Sequence, residues 1–331
     1  MILPEYPFRV EFEVISVCNL NCSYCYAKPF SHEIPSLNKL EYLFRKTKDE
    51  AHPFQVIILG GEPFLRKDII DLLQLAGEIF RRIGVSTNGT LLSKLNETDA
   101  KALKELTYKG VLSIQVSIDS LNPPEINDKV RGGATHLVVK GLDFLEEHKI
   151  PPFSIGIVLT RINANDIVST VKTLLSKYKY LKLLNIEKLQ PTVTLRDKYY
   201  DLALSPSELA KISHEIESLI AETRRHDVKV LLPIDNSCPT KSYLMDNYGF
   251  KTCTAGLTRA GGVLPNGDVV PCVVIRSVRL GNLFTESWKD IWRRSRERFL
   301  KLNLNIKLTG GQCYMEYGIL PSEIEIKNPY Y

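Results

Sequence analysis

No run in this 331-residue chain approaches the roughly 20 consecutive apolar positions that a membrane-spanning helix needs. The opening MILPEYPF has neither the basic patch nor the long apolar core of a secretion signal, so the expected location is cytoplasmic. Blocks of like charge are missing as well: 43 Lys and Arg are interleaved with 38 Asp and Glu, for a formal net charge of +5. Without a polybasic arm to follow a phosphate backbone, nothing signals a nucleic-acid partner. The cysteines number seven, an odd count in a chain with no secretion signal, which argues against a disulfide framework. The six histidines (32, 52, 136, 148, 214 and 226) stand at no metal-ligand spacing.

What is present is an alternation of short apolar runs with amphipathic segments as far as about residue 225, the pattern of parallel strands joined by helices. The strand candidates are FRVEFEVISV, FQVIIL, IGVST, VLSIQVSI, FSIGIVL and LKLLNIEKL. In the first, Phe8, Val10, Phe12 and Val14 alternate with Arg9, Glu11 and Glu13, which reads as an edge strand; FQVIIL is apolar throughout, as a strand covered on both faces must be. Six such units with a free edge predict an α/β fold, a partial (β/α)6 TIM-like barrel. Helix starts are legible in places. Asn165 is the expected N-cap of NDIVSTVKTLLSKY, and Ser205, Pro206 and Glu208 form a capping box before a long amphipathic stretch. From about Asp235 the alternation stops and Gly and Cys become more frequent. The expected division is 1–234 for the barrel and 235–331 for a second domain.

CNLNCSYCYA places Cys18, Cys22 and Cys25 within eight residues, directly after the first strand. Structural zinc takes four ligands, commonly as two knuckles a dozen or more residues apart, and no His or Cys stands at knuckle spacing after Cys25. A cubane iron–sulfur cluster has four irons, so three thiolates from one loop leave one iron open to a small ligand. The spacing CxxxCxΦC, with Tyr24 as the aromatic Φ, resembles the radical S-adenosylmethionine (SAM) enzymes. That resemblance implies a [4Fe–4S] cluster whose open iron chelates SAM, reductive cleavage to a 5′-deoxyadenosyl radical, and abstraction of a hydrogen atom from substrate. Further motifs follow in family order at strand ends. LGGEP, with Gly60, Gly61 and Glu62, resembles the segment that bonds the methionine amino group; STNGT contributes Asn88; VSIDS contributes Ser117, similar to the ribose-contacting serine. Arg131 in NDKVRGG resembles the arginine that pairs with the methionine carboxylate through a bidentate fork.

CTAGLTRAGGVLPNGDVVPC, from Cys253 to Cys272, contains an Asn-Gly turn between strand formers and predicts a hairpin. Its spacing resembles the Cx(9–15)GxxxxC of SPASM and twitch extensions, and LGNLFTESWKDIW resembles the helix-leading segment that follows in them. The further cysteine run of a full SPASM domain is reduced here to Cys313. Cys238, Cys253, Cys272 and Cys313 suffice for one auxiliary [4Fe–4S] cluster, the twitch arrangement; if Cys238 is instead a buried thiol, one iron is left open to substrate. RRSRER reads as a solvated helix face, with docking of an acidic reductant such as flavodoxin or ferredoxin as the functional alternative.

The resemblance implies an enzyme, a radical SAM oxidoreductase or maturase, with a peptide or protein side chain as the favoured substrate and a tetrapyrrole, haem precursor or other small metabolite as the alternative. The chain starts at its first strand with no leader-peptide recognition domain, so a peptide is expected to dock unaided or on a separate carrier. Sulfatase-type chemistry is disfavoured because Val273 stands where that branch places an Asp base. A zinc-binding scaffold or nucleic-acid adaptor is the non-enzymatic rival. No catalytic base is assigned.

Overall fold

The computed structural model describes residues 5–29, 31–151, 153–190, 192, 195, 198–223, 225–233, 255–257 and 259–305, without the side chains of 259–261 and 300–305. Cys238, Cys253 and Cys313 lie outside the described residues. Strands β1 (Arg9–Glu13), β2 (Gln55–Leu59), β3 (Ile83–Thr87), β4 (Leu112–Ser117), β5 (Phe153–Leu159), β6 (Leu181–Lys188) and β7 (Lys229–Leu231) lie side by side in sequence order, all parallel. Helices α1 (Leu37–Ala51), α2 (Ile69–Ile79), α3 (Glu97–Tyr108), α4 (Pro124–Arg131), α5 (Thr135–Glu147), α6 (Ile167–Lys177), α7 (Tyr199–Leu202) and α8 (Pro206–Glu222) supply the crossovers. The chain continues through β8 (Arg259–Val263), β9 (Asp268–Val270), β10 (Gly281–Asn282) and α9 (Trp288–Asn305). Among the described residues β7 does not pair back to β1, so the sheet is an open α/β barrel of the expected class.

One layer of core lies between the sheet and the helices. Val10, Phe12, Val56, Ile58, Ile114, Val116, Ile155 and Ile157 are at most 1% exposed and belong to one cluster with Phe44, Leu72, Leu103 and Leu142 of the helices. Because successive strand residues point to opposite faces, the other set lines the concave side of the sheet. There Ile57 and Leu59 of β2 form a separate small cluster with Val273, against which Tyr26, Cys272 and Val274 pack.

The edge reading of the first strand is corrected. β1 is flanked by β2 on one side and by β8 on the other, with Arg9 opposite Arg259 and Val10 opposite Ala260. Its alternating polar residues face the concave side: Glu11 and Glu13 are each 1% exposed. Arg9 pairs with Glu11 at 2.9 Å, and the Arg276 guanidinium reaches both oxygens of Glu13, at 2.5 and 3.2 Å. Period-two polarity marks a face that is not apolar, and a barrel interior produces it as well as solvent does. β7, with three residues, is too short to show a period and is an addition to the six expected strands.

Two helix starts differ in outcome. The Ser205 hydroxyl accepts from Glu208 N while the Glu208 carboxylate accepts from Ser205 N, the full capping box with Pro206 at the first position. The N-cap of α6 is Asp166, one residue after the expected Asn165. The expected hairpin is β8–β9, closed by Leu264 N to Asp268 O and by Gly267 at φ +85. The helix after it packs on more than that hairpin. Trp288 of α9 is fully buried, and its indole N–H donates to Thr47 Oγ1 of α1 at 2.9 Å.

Candidate active site and cofactor-binding loop

The loop from Val14 onward leaves β1 at its carboxyl end, where parallel barrels carry their chemistry. Cys18, Cys22 and Cys25 are half-buried, and none forms a disulfide among the described residues. Inside the loop Leu20 N donates to the Cys18 sulfur (3.4 Å), Cys25 N to Cys22 O (3.4 Å) and Lys28 Nζ to Cys22 O (2.7 Å). These bonds shape the loop, in which the three thiols lie near enough to influence one another electrostatically.

A strand end and a helix end press on the loop from two sides. From the end of β2, Gly61 N donates to Ile15 O (2.7 Å) and Glu62 N to Val17 O (2.8 Å). A Cβ on Gly60, which has φ +152, would stand 2.2 Å from Ile15 O, and one on Gly61 would stand 2.0 Å from Val17 O. The paired glycines therefore serve close approach to the cysteine loop itself, a backbone-on-backbone contact that no side chain permits. From the far side, Val130 O of α4 accepts from Ser23 N (2.9 Å), and Gly132, at φ +83, comes against the Asn21 backbone.

Glu62 is fully buried and its oxygens are occupied. Oε1 accepts from Phe64 N (3.0 Å) and Thr87 Oγ1 (2.6 Å), and Oε2 accepts from Asn88 N (2.6 Å). Burial raises its pKa against these hydrogen bonds, which lower it. Asn88 is thereby held so that its amide reaches Asn19 Oδ1 (2.8 Å) and approaches the Cys18 sulfur (3.9 Å). Glu62 thus links the ends of β2 and β3 to the first cysteine. Ser117 ends β4 half-buried, and its hydroxyl bonds no other described residue.

Arg131 is 7% exposed at the last position of α4. Its Nη1 donates to the Tyr24 hydroxyl (2.7 Å) and to Asp119 Oδ2 (3.3 Å), while that hydroxyl donates to the same Asp119 oxygen. Burial alone would lower the arginine's pKa, but Tyr24, Asp119 and Cys22 hold it above the usual range. Burial pushes the Cys22 thiol up to about 11 in spite of the nearby guanidinium, and raises Cys18 as well. Three soft sulfur donors in one loop, beside a buried cation whose Nε has no hydrogen-bond partner, fit a thiolate-held cluster with an anionic ligand next to it.

Two residues escaped the sequence reading. Asp119 stands in VSIDS, but its partners Tyr24 and Arg131 are remote in sequence, so no local pattern marks it. Arg66 is 5% exposed and acts as a strut: Nη1 donates to Val14 O (2.9 Å) and Pro35 O (2.8 Å), at the two ends of the cysteine segment, while Nε and Nη2 bind Asp68. Arg66→Met keeps the stem and leaves two buried carbonyls without their donor, an expected loss of about 2–5 kcal/mol. A lower urea midpoint together with reduced iron retention checks it; an unchanged midpoint refutes it.

Of the expected site residues, Cys18, Cys22, Cys25, Gly60, Gly61, Glu62, Asn88 and Arg131 are joined by direct contacts around one loop. Cys272 lies on the concave side, packed with Tyr26 against Ile57, Leu59 and Val273. Among the described residues no His, Cys, Asp and Glu groups are arranged to hold a metal ion by themselves.

Comparison with known proteins matches two segments of the chain. Residues 12–174 match the model of the Radical SAM superfamily, and residues 253–314 match SPASM, an iron–sulfur cluster-binding domain. The AdoMet-dependent heme synthase of Methanosarcina barkeri is 26% identical over 327 residues, covering 94% of this chain and 89% of that protein. A probable GTP 3′,8-cyclase of Methanothermobacter thermautotrophicus is 26% identical over 278 residues, 78% of this chain and 81% of that one. Among solved structures, Streptococcus suis SuiB bound to its precursor peptide SuiA has a TM-score of 0.71 at 18% identity, covering 88% of this chain and 65% of SuiB. At that identity the likeness speaks to the fold alone. With both segments matched and the cysteine loop at the carboxyl end of β1, the chain belongs to the radical SAM superfamily, in its SPASM-containing branch, whose cofactors are S-adenosylmethionine and [4Fe–4S] clusters.

Proposed function

We propose that Cys18, Cys22 and Cys25 hold the SAM-binding [4Fe–4S] cluster and that the enzyme uses it to modify a peptide or protein side chain. The observation that carries the reading is the gathering of three thiols in one loop, with the half-open Arg131 guanidinium beside Cys22. When bound, the cluster supplies the electron that breaks a C–S bond of SAM, giving methionine and a 5′-deoxyadenosyl radical that takes a hydrogen atom from substrate. The chain's own groups do the rest. Arg131 binds the methionine carboxylate, and Gly60 and Gly61 set the backbone that meets the methionine amino group. Ser117 contacts the ribose, while Glu62 and Asn88 act by fixing the first cysteine. The concave face of the sheet, shut by Tyr26, Val273 and Cys272 on the β1–β2 side, shields the radical from water. Cys272, with Cys253, Cys313 and Cys238, holds one auxiliary cluster, and flavodoxin or ferredoxin is the reductant.

Support for a peptide comes from the SuiB fold, solved with a precursor peptide in place. A second reading, a tetrapyrrole or other small metabolite, draws on the end-to-end similarity to a heme synthase. Anaerobic reconstitution followed by iron analysis tests the cofactors: about eight irons per chain fit, about four remove the auxiliary cluster, and bound zinc without iron ends the proposal. Formation of 5′-deoxyadenosine under dithionite then ranks substrates. Stimulation by an unmodified peptide, with loss of hydrogen seen by mass spectrometry, supports the first reading; stimulation only by a carboxylated tetrapyrrole replaces it with the second.

A further inference from the structure

The guanidinium of Arg131 is committed along one side and open along the other. Nη1 is taken by Tyr24 Oη and Asp119 Oδ2, whereas the buried Nε has no partner and Nη2 donates to no group among the described residues. Nε and Nη2 make up the lateral edge of the fork, the edge that takes a carboxylate through two parallel hydrogen bonds. What decides which edge is open is Asp119. It is fully buried, and each of its polar atoms on the chain side is fixed: Oδ1 accepts from Val158 N of β5 (2.8 Å), its N–H donates to Asn127 Oδ1 of α4 (2.8 Å), and its carbonyl accepts from Asn163 Nδ2 (2.9 Å). Asn127 is in turn held by donating to Thr135 Oγ1 (2.8 Å). Oδ2 is thus presented at one place by three separate elements. Tyr24 closes the ring, and it lies between Cys22 and Cys25.

We infer that Asp119 is a positioning residue that, with Tyr24, turns the Nε/Nη2 edge of Arg131 toward the carboxylate of SAM and ties that edge to the cysteine loop. The inference rests on the SAM-binding reading of the site. Two effects of Asp119 oppose each other: its charge repels an incoming carboxylate, and its geometry aligns the fork. Alignment prevails because a neutral substitute cannot keep the arrangement. In Asp119→Asn the Val158 N–H retains the amide oxygen, so the amide NH2 faces Nη1, donor against donor, the Tyr24 hydroxyl loses the acceptor for its proton, and the guanidinium swings away.

The test uses the reconstituted enzyme and two ligands, SAM and decarboxylated SAM, titrated by equilibrium dialysis and by the change each causes in the electron paramagnetic resonance of the reduced cluster. The wild type is expected to prefer SAM. Asp119→Asn, at unchanged iron content, is expected to weaken SAM by roughly ten- to a hundredfold while leaving the decarboxylated ligand nearly unaffected, so the preference collapses. Tyr24→Phe, which removes only a hydroxyl, is expected to lower the preference in the same direction by a smaller factor. A purely structural Asp119 would weaken both ligands equally, and a dominant charge effect would tighten SAM; either result overturns the inference. If Asp119→Asn does not retain its iron, an unchanged preference in Tyr24→Phe overturns it by itself. Absence of SAM binding in the wild type would defeat the reading of the site instead.

Discussion

Cys22→Ala is expected to remove about four irons per chain and to reduce 5′-deoxyadenosine formation to the background without enzyme. Three thiolates are the least number that keeps a cubane cluster in place while leaving one iron for SAM, so losing one removes the site and not a fraction of its activity. The substitution is mild toward the polypeptide. The hydrogen bonds that shape the loop at this position, from Cys25 N and from Lys28 Nζ, go to the Cys22 carbonyl, which alanine retains. The sulfur is half-buried, and desolvation holds it in its neutral form when no iron is present. The thermal midpoint of the iron-free protein should therefore move little, by the equivalent of about 1 kcal/mol or less. Iron analysis, the midpoint and product formation together form the check. Full iron retention with undiminished SAM cleavage would dismiss Cys22 as a ligand.

Gly61→Ala is expected to do comparable damage without touching a sulfur. Its new methyl would lie 2.0 Å from Val17 O and 2.3 Å from Val17 C, the backbone immediately preceding Cys18. Backbone cannot rotate out of the way as a side chain can, so the β2 end and the cysteine loop must separate, breaking Gly61 N to Ile15 O and Glu62 N to Val17 O. A loss on the order of 3–5 kcal/mol follows from the overlap and the two broken bonds. The control is Gly110→Ala, in the turn between α3 and β4, where φ is +68 and nothing lies within 4 Å of the added carbon. That variant bears only the cost of a left-handed backbone, about 1 kcal/mol, and should load iron normally. Equal iron loading in the two variants would show that contact at Gly61 is not what holds the loop.

The contrast between these glycines marks how far the sequence could be read. GGEP is recognisable as a turn beside the cysteine triplet, yet only the structure shows that its glycines face the loop backbone. The six barrel strands and the Ser205 capping box were legible because each depends on residues within a few positions of one another. The pairing of β1 with β8 was not, since it joins Arg9 to Arg259 and leaves no local trace; polarity alternating along β1 was compatible with an edge and with a lined interior. Asp119 was hidden for the same reason, its role being defined by Tyr24 on one loop and Arg131 on another. Cys272 could be placed, and its expected partners Cys238, Cys253 and Cys313 lie outside the described residues.

The position of β1 between β2 and β8 also bears on the order in which the protein can be completed. A ribosome releases β1 early and β8 only after the whole barrel sequence has emerged. Until then the strand that feeds the cysteine loop has one bare hydrogen-bonding flank, and Glu13 has no Arg276 to neutralise it. Contacts so distant along the chain form slowly, and exposed flanks invite pairing with other chains. Iron delivery to the first loop is thus best timed after translation of the C-terminal hairpin, which makes the last part of the chain a condition for maturing the first.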